Sequence, residues 1–435
     1  MAFLIKNMNN NEAFAYLAGL QGRGMRLDLT VLRRSLERLG NPHQAYASIL
    51  VGGTNGKGSI CAMTASILKE AGFKVGLYTS PHLLDVRERI RLDGEMVSPE
   101  EMAEAVRAVR RHSRDELTYF EFLTAMAFSL FARHGIHTAV LEVGMGGRLD
   151  ATNVVDPLVS VISNISLEHC AYLGKRLSEI AFEKAGIIRE GGTCLTGAAQ
   201  TSVLNALKEV CRGRQAALHR LGRDIRVRAH ARRGQFSYHG MKKSYDHLPC
   251  PLLGHHQIRN AALAVGVTEV LEAGGIVVGE EQLRRGLSKA QWAGRMEVWP
   301  GPPPVVLDGA HNPAGMAVLA RALVENFSFR RMIVVFGVLE DKNYRAMLQK
   351  IGRLASVLVL TRPPEARSRA PEDLVMPAKA LCSRVLLEHD PARAIEMAVA
   401  QAAPGDLVCV AGSLYLVGQA KAVLGPTVRD ENDHE

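Results

Sequence analysis

Short runs of aliphatic and β-branched residues alternate along this chain with longer stretches in which apolar residues recur every three or four positions. The runs at 75–79, 138–143, 158–165 and 193–196 read as strands, and 99–111 and 122–134 as amphipathic helices. Ile60, Met63, Ile67, Leu68 and Ala71 mark one more helix, which Gly72 ends. A second series of short runs, at 305–307, 332–336, 357–360 and 407–410, is again separated by helical segments. This rhythm predicts an α/β protein whose sheets are mostly parallel and covered on both faces. Pro300-Gly301-Pro302-Pro303-Pro304 lies between the two series. Three prolines in a row cannot sit inside a helix or a central strand. The expected division is therefore a large domain over residues 1–299 and a smaller α/β one over 300–435.

Its 435 residues suffice for two or three domains, and 47% hydrophobic with 22% charged content fits a soluble globular protein. No apolar run reaches the roughly 18 residues that span a membrane. The first twenty residues lack the charged start and apolar core of a signal peptide. The seven cysteines are scattered, with no C-x-x-C pair. That pattern predicts reduced thiols, a cytoplasmic location and no zinc site. No heptad or long apolar face stands out, so a monomer is expected.

Net charge is +9. Either nucleic acid or a small anionic substrate would answer such a balance. The most basic stretch, 219–243, holds Arg220, Arg223, Arg226, Arg228, Arg232, Arg233, Lys242 and Lys243, and alternates like a hairpin around Gly234 and Gly240. A solvated face of exposed strands is the preferred reading over a nucleic-acid patch, since no zinc-finger, RRM-like or KH-like signature accompanies it.

The chemistry begins at Ser48-Ile49-Leu50-Val51-Gly52-Gly53-Thr54-Asn55-Gly56-Lys57-Gly58-Ser59: a buried strand, a glycine-rich turn with one lysine, and a helix start. Backbone N–H groups at such a helix start attract an anion, and glycines let the backbone approach it. The standard phosphate loop places Ser or Thr directly after the lysine. Here Gly58 intervenes and the hydroxyl arrives at Ser59, which points away from kinases and GTPases.

Polar residues end several of the strands. Ser80-Pro81-His82 follows the second strand, and Glu142 precedes the glycine-rich Gly144-Met145-Gly146-Gly147-Arg148. Ser166-Leu167-Glu168-His169 follows the run at 158–165. Ligands bind at the carboxyl ends of strands in open α/β sheets. Ser80, Glu142 and His169 would therefore gather beside the phosphate loop, where a hydroxyl, a carboxylate and an imidazole suit a hydrated Mg2+. Structural capping by His169 and pairing of Glu142 with Arg148 are the plainer alternatives. Lys184 sits among Ala181, Ala185 and Ile188; it is either a lysine of lowered pKa or one that snorkels to solvent. In the second series, Asp308-Gly309-Ala310-His311-Asn312-Pro313 forms another strand-to-helix turn, with Asn312 placed to cap and Pro313 at the first helical position. Asp308 could hold a ribose or a metal there, or merely cap the turn.

The combination resembles the folylpolyglutamate synthase/dihydrofolate synthase family of the Mur ligase superfamily. The motifs are Gly53–Ser59, Thr79-Ser80-Pro81-His82-Leu83, Leu141–Gly144 with Gly146–Asn153, Glu183–Ile187, Leu253–Asn260, Trp292–Glu297 and Asp308–Pro313, in order over most of the chain. The resemblance implies an N-terminal ATPase domain and a C-terminal Rossmann-like domain, with ATP between them. It assigns Thr54, Asn55, Gly56, Lys57, Gly58 and Ser59 to the ATP phosphates, and Asn260, Arg295 and Asp308 to the rest of the nucleotide. Ser80, Glu142 and His169 would contact Mg2+, and Lys184 would be carbamylated and help hold a second Mg2+. His311 and Ser413 would lie near the γ-phosphate and the incoming glutamate. Tyr119, Phe120 and Glu121, with Leu149, look like part of the pterin-side pocket. Three departures are visible. Gly53 stands where alanine is common, a change expected to matter little; Asn343 neutralises the second acid of an Asp-Lys-Asp motif; Glu168 replaces an aspartate and keeps its charge.

The implied reaction is ATP-dependent attachment of L-glutamate to a dihydropteroate or folate carboxylate through an acyl phosphate. Polyglutamate synthesis alone, or a Mur-type ligase acting on another carboxylate, are the alternatives. A plain NTPase would lack a use for Asp308–Pro313, and a nucleic-acid-binding module would need none of the metal set.

Overall fold

The computed structural model describes residues 8–113, 117–230 and 234–425. They form two compact units. The first runs to Pro81 and continues over Arg87–Pro251 and Gln257–Gln291; the second comprises His82–Val86, Leu252–His256 and the chain from Trp292.

The first unit is built on eight strands: β1 (Ala47–Gly52), β2 (Val75–Tyr78), β3 (Ile90–Leu92), β4 (Glu95–Met96), β5 (Thr138–Glu142), β6 (Val159–Ile162), β7 (Thr193–Thr196) and β8 (Ala217–Arg220). Their order is β4-β3-β2-β5-β1-β6-β7-β8. β2 through β8 in that order run parallel, and β3 and β4 add an antiparallel edge. Ile49, Leu50, Val51, Val140, Leu141, Val159 and Val161 are fully buried, as apolar runs covered on both faces must be. β1 is central, and the chain departs from it first to the β5 side and later to the β6 side. The sheet therefore reverses its winding at β1, where open α/β sheets form their crevice.

Two of the long helices have a local reason for where they begin. Pro99–His112 begins with Ser98 and Glu101 in a reciprocal capping box, and Tyr119–Arg133 with Thr118 and Glu121 in another. Lys57–Glu70 is buried on nearly every side. Helix Glu280–Lys289 lies against it so closely that a Cβ on Gly286 would meet Ile67 Cα at 2.4 Å, and Ser66 Oγ donates to Gly286 O at 2.7 Å.

The basic stretch forms more than a hairpin. β9 (Arg226–Ala229), β10 (Gln235–His239) and β11 (Ser244–Pro249) make a separate antiparallel sheet in the order β11-β10-β9. Phe236 and Tyr238 point inward, whereas Arg226 and Arg228 are exposed. Arg232 and Arg233, and the polar tail at 429–435, lie outside the described residues.

The second unit has six strands: β12 (Glu297–Trp299), β13 (Val305–Asp308), β14 (Met332–Phe336), β15 (Val357–Leu360), β16 (Val385–Leu387) and β17 (Leu407–Ala411), ordered β12-β13-β17-β14-β15-β16. All neighbours are parallel except β12 with β13. Alternation along β14 splits the core: Met332, Val334 and Phe336 pack with Leu358 and Leu360 on one face, and Ile333 and Val335 with Val357, Val359 and Ile395 on the other. The proline run is not the joint between the units. It connects two paired strands, β12 and β13, inside the second unit, which begins at Trp292 rather than at residue 300. Prolines suit that reversal because the connection needs no backbone donors.

Asp406, at the start of β17, anchors the second unit electrostatically. Its buried carboxylate accepts from Arg331 Nη2 at 2.5 Å and from Ala403 N at 2.8 Å. The Arg331 hydrogen bond is the main cause holding its pKa near about 2. A depressed folded-state pKa contributes stability above the unfolded value, and that contribution is lost as pH falls through the folded one. Asp406→Asn should therefore lower Tm at pH 7, with the difference from wild type narrowing below pH about 4 and vanishing near about 2. Thermal denaturation across that range checks it.

Candidate active site

The carboxyl ends of β1, β5 and β6 are adjacent because those strands are neighbours, and the site of the first unit is built there. β1 runs into Gly53, whose φ is 126°, and the turn ends at Gly56, φ 84°, the N-cap of helix Lys57–Glu70. Both conformations favour glycine. A Cβ on Gly56 would stand 2.7 Å from Asn260 Oδ1, so Asn260, held by Gln257 at 3.0 Å, packs directly against the loop. A Cβ on Gly53 would stand 2.0 Å from Ser163 Oγ. In this chain Ser163 Oγ, Ser163 N at 2.9 Å and the positive φ leave no room for a side chain at residue 53. Lys57 Nζ donates to Thr54 O at 3.1 Å and lies 4.0 Å from Glu142 Oε1. Gly58 and Ser59 are buried in the first helical turn, and Ser59 Oγ has no hydrogen-bond partner. A buried hydroxyl left unsatisfied at a helix N-terminus is what an anion or its cation would complete.

Glu142 closes β5 and accepts from Ser80 N, beyond the end of β2, at 3.1 Å. These two expected metal-side residues are therefore in contact, and the carboxylate is paired with the loop lysine rather than with Arg148, which binds Glu183. β6 ends at Ile162, three residues short of the expected 165, and His169 follows in a left-handed conformation, φ 51°, as N-cap of the short helix Cys170–Leu173. Among the described residues no group of three or more His, Cys, Asp or Glu is placed to hold a metal ion. One carboxylate, one imidazole and hydroxyls would leave room for waters and phosphate oxygens, which fits a hard cation such as Mg2+.

Lys184 does not snorkel. It is 4% exposed, and its Nζ donates to Gly53 O at 2.8 Å across the phosphate loop. Burial is the first cause that lowers its pKa to about 7, and the Lys57 charge adds to it; Glu168 and Asp150 oppose. The helix Leu177–Ala185 is fixed at its C-terminal end by the segment after β5. Arg148 binds Glu183 at 3.0 Å, and Asn153 Nδ2 donates to Gly186 O at 3.3 Å. Gly147 passes so close that a Cβ there would meet Lys184 O at 2.7 Å.

Tyr119, Phe120 and Glu121 occupy the first turn of helix Tyr119–Arg133. Phe120 lies over Gly144, where a Cβ would meet its ring at 2.6 Å, and its ring is 5.9 Å from that of Tyr78. Glu121 Oε2 accepts from Thr118 N at 2.7 Å and is 3.6 Å from Arg26, so this carboxylate caps its own helix; Oε1 is buried with no partner. Leu149 is half-buried beside Asp150, whose carboxylate accepts from Met145 N, Thr152 N and Thr152 Oγ1. Burial raises the Asp150 pKa, against those hydrogen bonds.

In the second unit the expected residues sit at the carboxyl ends of β13 and β17. Asp308 accepts from Met296 N at 2.9 Å and Ala310 N at 2.8 Å. Both oxygens thus serve the turn, the plainer of the two readings, and each keeps a lone pair for a ligand. Arg295 lies against Gly309, where a Cβ would meet its Nη1 at 2.3 Å. His311 Nδ1 is 2.8 Å from Gly309 O; a carbonyl only accepts, so Nδ1 carries the proton. Ser413 caps helix Leu414–Leu424 and accepts from Tyr415 N at 3.2 Å. Asn343 caps helix Tyr344–Ile351 through Ala346 N, a task asparagine performs as well as aspartate.

Residues 51–268 match the Mur ligase middle domain and residues 294–414 the Mur ligase glutamate ligase domain. The dihydrofolate synthase/folylpolyglutamate synthase of Bacillus subtilis is 34% identical over 94% of this chain and 98% of its own length. E. coli FolC in complex with DHPP and ADP superimposes with a TM-score of 0.87 at 30% identity, covering 95% of this chain and 97% of that one. The bifunctional folylpolyglutamate synthase/dihydrofolate synthase of Yersinia pestis, complexed with AMPPNP and Mn ion, gives 0.86 at 30% identity over 96% and 98%. The fold and the loop therefore define an ATP-dependent ligase of the Mur class. Within that class, the chain belongs to the folylpolyglutamate synthase/dihydrofolate synthase family.

Ser163, Asn164 and Asp150 were not singled out in sequence. The first two lay inside an expected strand, and only the early end of β6 frees their side chains.

Lys184 carries a stability consequence. Its folded-state pKa of about 7 lies well below the ordinary lysine value of 10.5. Below pH 7 the folded chain must bury a charged amine, and that cost declines to nothing as pH rises to the unfolded value. Lys184→Met should therefore raise Tm most at pH 6, with the gain shrinking steadily above pH 7, as scanning calorimetry at several pH values would record.

Proposed function

We propose that this chain attaches L-glutamate to the carboxylate of dihydropteroate or of a folate, with ATP bound at Gly53–Ser59. The observation that carries the reading is the buried Lys184 amine hydrogen-bonded to the phosphate-loop carbonyl of Gly53. It joins a lysine of lowered pKa to an anion-binding loop, where a plain NTPase has no need of one.

The substrate carboxylate attacks the γ-phosphorus, the bond to ADP breaks, and an acyl phosphate forms. The glutamate amine then adds to the acyl carbon, loses a proton, and expels phosphate. The protein supplies position and charge rather than covalent chemistry. Helix N–H groups and Lys57 offset charge that builds on the phosphoryl oxygens. Ser80, Glu142 and His169 would hold Mg2+, which when bound neutralises phosphate charge. At a pKa of about 7, much of the Lys184 amine is neutral at physiological pH. A neutral amine adds to CO2 with loss of a proton, and the resulting carbamate would give a second Mg2+ an oxygen ligand. Asn260, Arg295 and Asp308 would bind the remainder of the nucleotide. His311, with Nδ1 protonated, presents Nε2 as its basic nitrogen, and it and Ser413 serve the γ-phosphate and the incoming glutamate. Phe120, Tyr119, Glu121 and Leu149 receive the pterin side. The reading includes a cytoplasmic monomer that works on small molecules, with neither nucleic acid nor membrane as a partner. The +9 charge would steer its anionic substrates.

Phosphate should appear only when ATP, L-glutamate and a pteroate or folate are all present; release from ATP alone would overturn the ligase reading. Comparing glutamate incorporation into dihydropteroate and tetrahydrofolate decides between the two activities. Lys57→Ala and His169→Ala should each lower kcat at least about 100-fold, and near-normal turnover would remove their roles. Lys184→Ala should be inactive and partly restored by acetate, whose carboxylate replaces the carbamate; full activity without acetate would eliminate that assignment.

A further inference from the structure

The segment that leaves β6 does more for the phosphate loop than any residue within the loop. Thr54 N–H donates to Asn164 O at 2.8 Å, and Ser166 N–H to Thr54 Oγ1 at 3.1 Å. The Asn164 side-chain amide meets Asn55 at two points: Oδ1 accepts from Asn55 N at 3.1 Å and Nδ2 donates to Asn55 O at 2.7 Å. Ser163 Oγ donates to the same carbonyl at 2.7 Å. Asn55 O thus has both lone pairs occupied.

Two consequences follow from the geometry of a peptide. The N–H groups of Thr54 and Asn55 are already bonded to Asn164, so they are spent before any anion arrives. The Asn55 carbonyl is pinned toward Ser163 and Asn164. In a planar trans peptide the next N–H points the opposite way, so Gly56 N–H is turned away from the clamp. Lys57, Gly58 and Ser59 are the first three positions of the helix, whose N–H groups have no intrahelical acceptor.

We propose that Ser163 and Asn164 are positioning residues that select which loop amides face the ATP phosphates, restricting the cradle to Gly56–Ser59. Gly53 is part of the same device. A residue-53 Cβ would stand 2.0 Å from Ser163 Oγ, 2.9 Å from Ser163 N and 3.1 Å from Asn164 O, so only glycine at 53 lets the β6 exit come this close to the loop. This rests on the reading that ATP binds the loop, and it narrows the expected contact set by removing the backbone donors of Thr54 and Asn55.

The test is a double-mutant cycle with ADP affinity by calorimetry and steady-state kinetics. Asn164→Ala should raise KM for ATP and Kd for ADP at least tenfold while KM for the folate substrate stays within twofold; a general loss of folding would move both, and melting curves monitor it. Ser163→Ala should weaken ADP binding about threefold in the wild-type background. Gly53→Ala should itself weaken ADP binding, and Ser163→Ala should not restore it, because Ser163 N and Asn164 O, at 2.9 and 3.1 Å from a residue-53 Cβ, remain in place. Unchanged ADP affinity in Gly53→Ala or in Asn164→Ala, or full rescue of Gly53→Ala by Ser163→Ala, would overturn the clamp. Lys57→Ala is the control on the underlying reading. If it too leaves nucleotide affinity intact, the ATP site lies elsewhere; if it weakens binding while the clamp variants do not, only the clamp falls.

Discussion

The phosphate loop keeps its shape because a neighbouring strand lends it hydrogen-bond partners. Left alone, a turn with glycines at 53, 56 and 58 would sample many conformations, since glycine pays the largest backbone entropy on ordering. The exit of β6 removes that freedom through Asn164 and Ser163. The arrangement is possible only because β1 and β6 are adjacent and parallel, so that both chains leave the sheet at the same edge. Much of the rest of the site depends on this. The same β6 exit continues to Glu168 and His169, and the Gly53 carbonyl it helps to place is the acceptor for Lys184.

A second layer holds the lysine from behind. The helix that carries it ends at buried Ala185, with buried Ile187 just beyond, and the carbonyls at this end are met by side chains from elsewhere. Arg214 Nη1 donates to Gly186 O at 3.2 Å, and Asn153 reaches the same carbonyl. Cations and amide donors at a helix C-terminus satisfy orphan carbonyls and answer the dipole. The glycines at 147 and 186 let the two backbones meet at distances no larger residue permits. A chemically useful amine is therefore kept buried by a rigid frame rather than by its own hydrogen bond alone.

The strands, the long helices and their caps were legible in sequence because each is written locally: alternation, helical spacing, Ser98 with Glu101, Thr118 with Glu121, Asn312 before Pro313. The loop was legible for the same reason, and its Gly58 already separated it from kinases. The site residues quoted from motifs, Ser80, Glu142 and Lys184 among them, were legible as candidates. Glu142 could equally have paired with Arg148, and Lys184 could equally have reached solvent. Only the packed chain shows that Arg148 is occupied by Glu183 and that Lys184 is enclosed.

By itself, then, the sequence determined the α/β class, the parallel sheets, the anion-binding turn and the family to which its motifs belong, because periodicity, turn chemistry and motif spacing are properties of short stretches. The tertiary structure decided where the second unit begins, which partner each charge takes, and what residue 53 must be. The prolines at 300–304 read as a joint but close a strand pair, since pairing between strands has no local signature. At Gly53 the positive φ and the close approach of Ser163 and Asn164, more than a hundred positions away, leave no room for a side chain, because steric exclusion acts through space and leaves no trace along the chain.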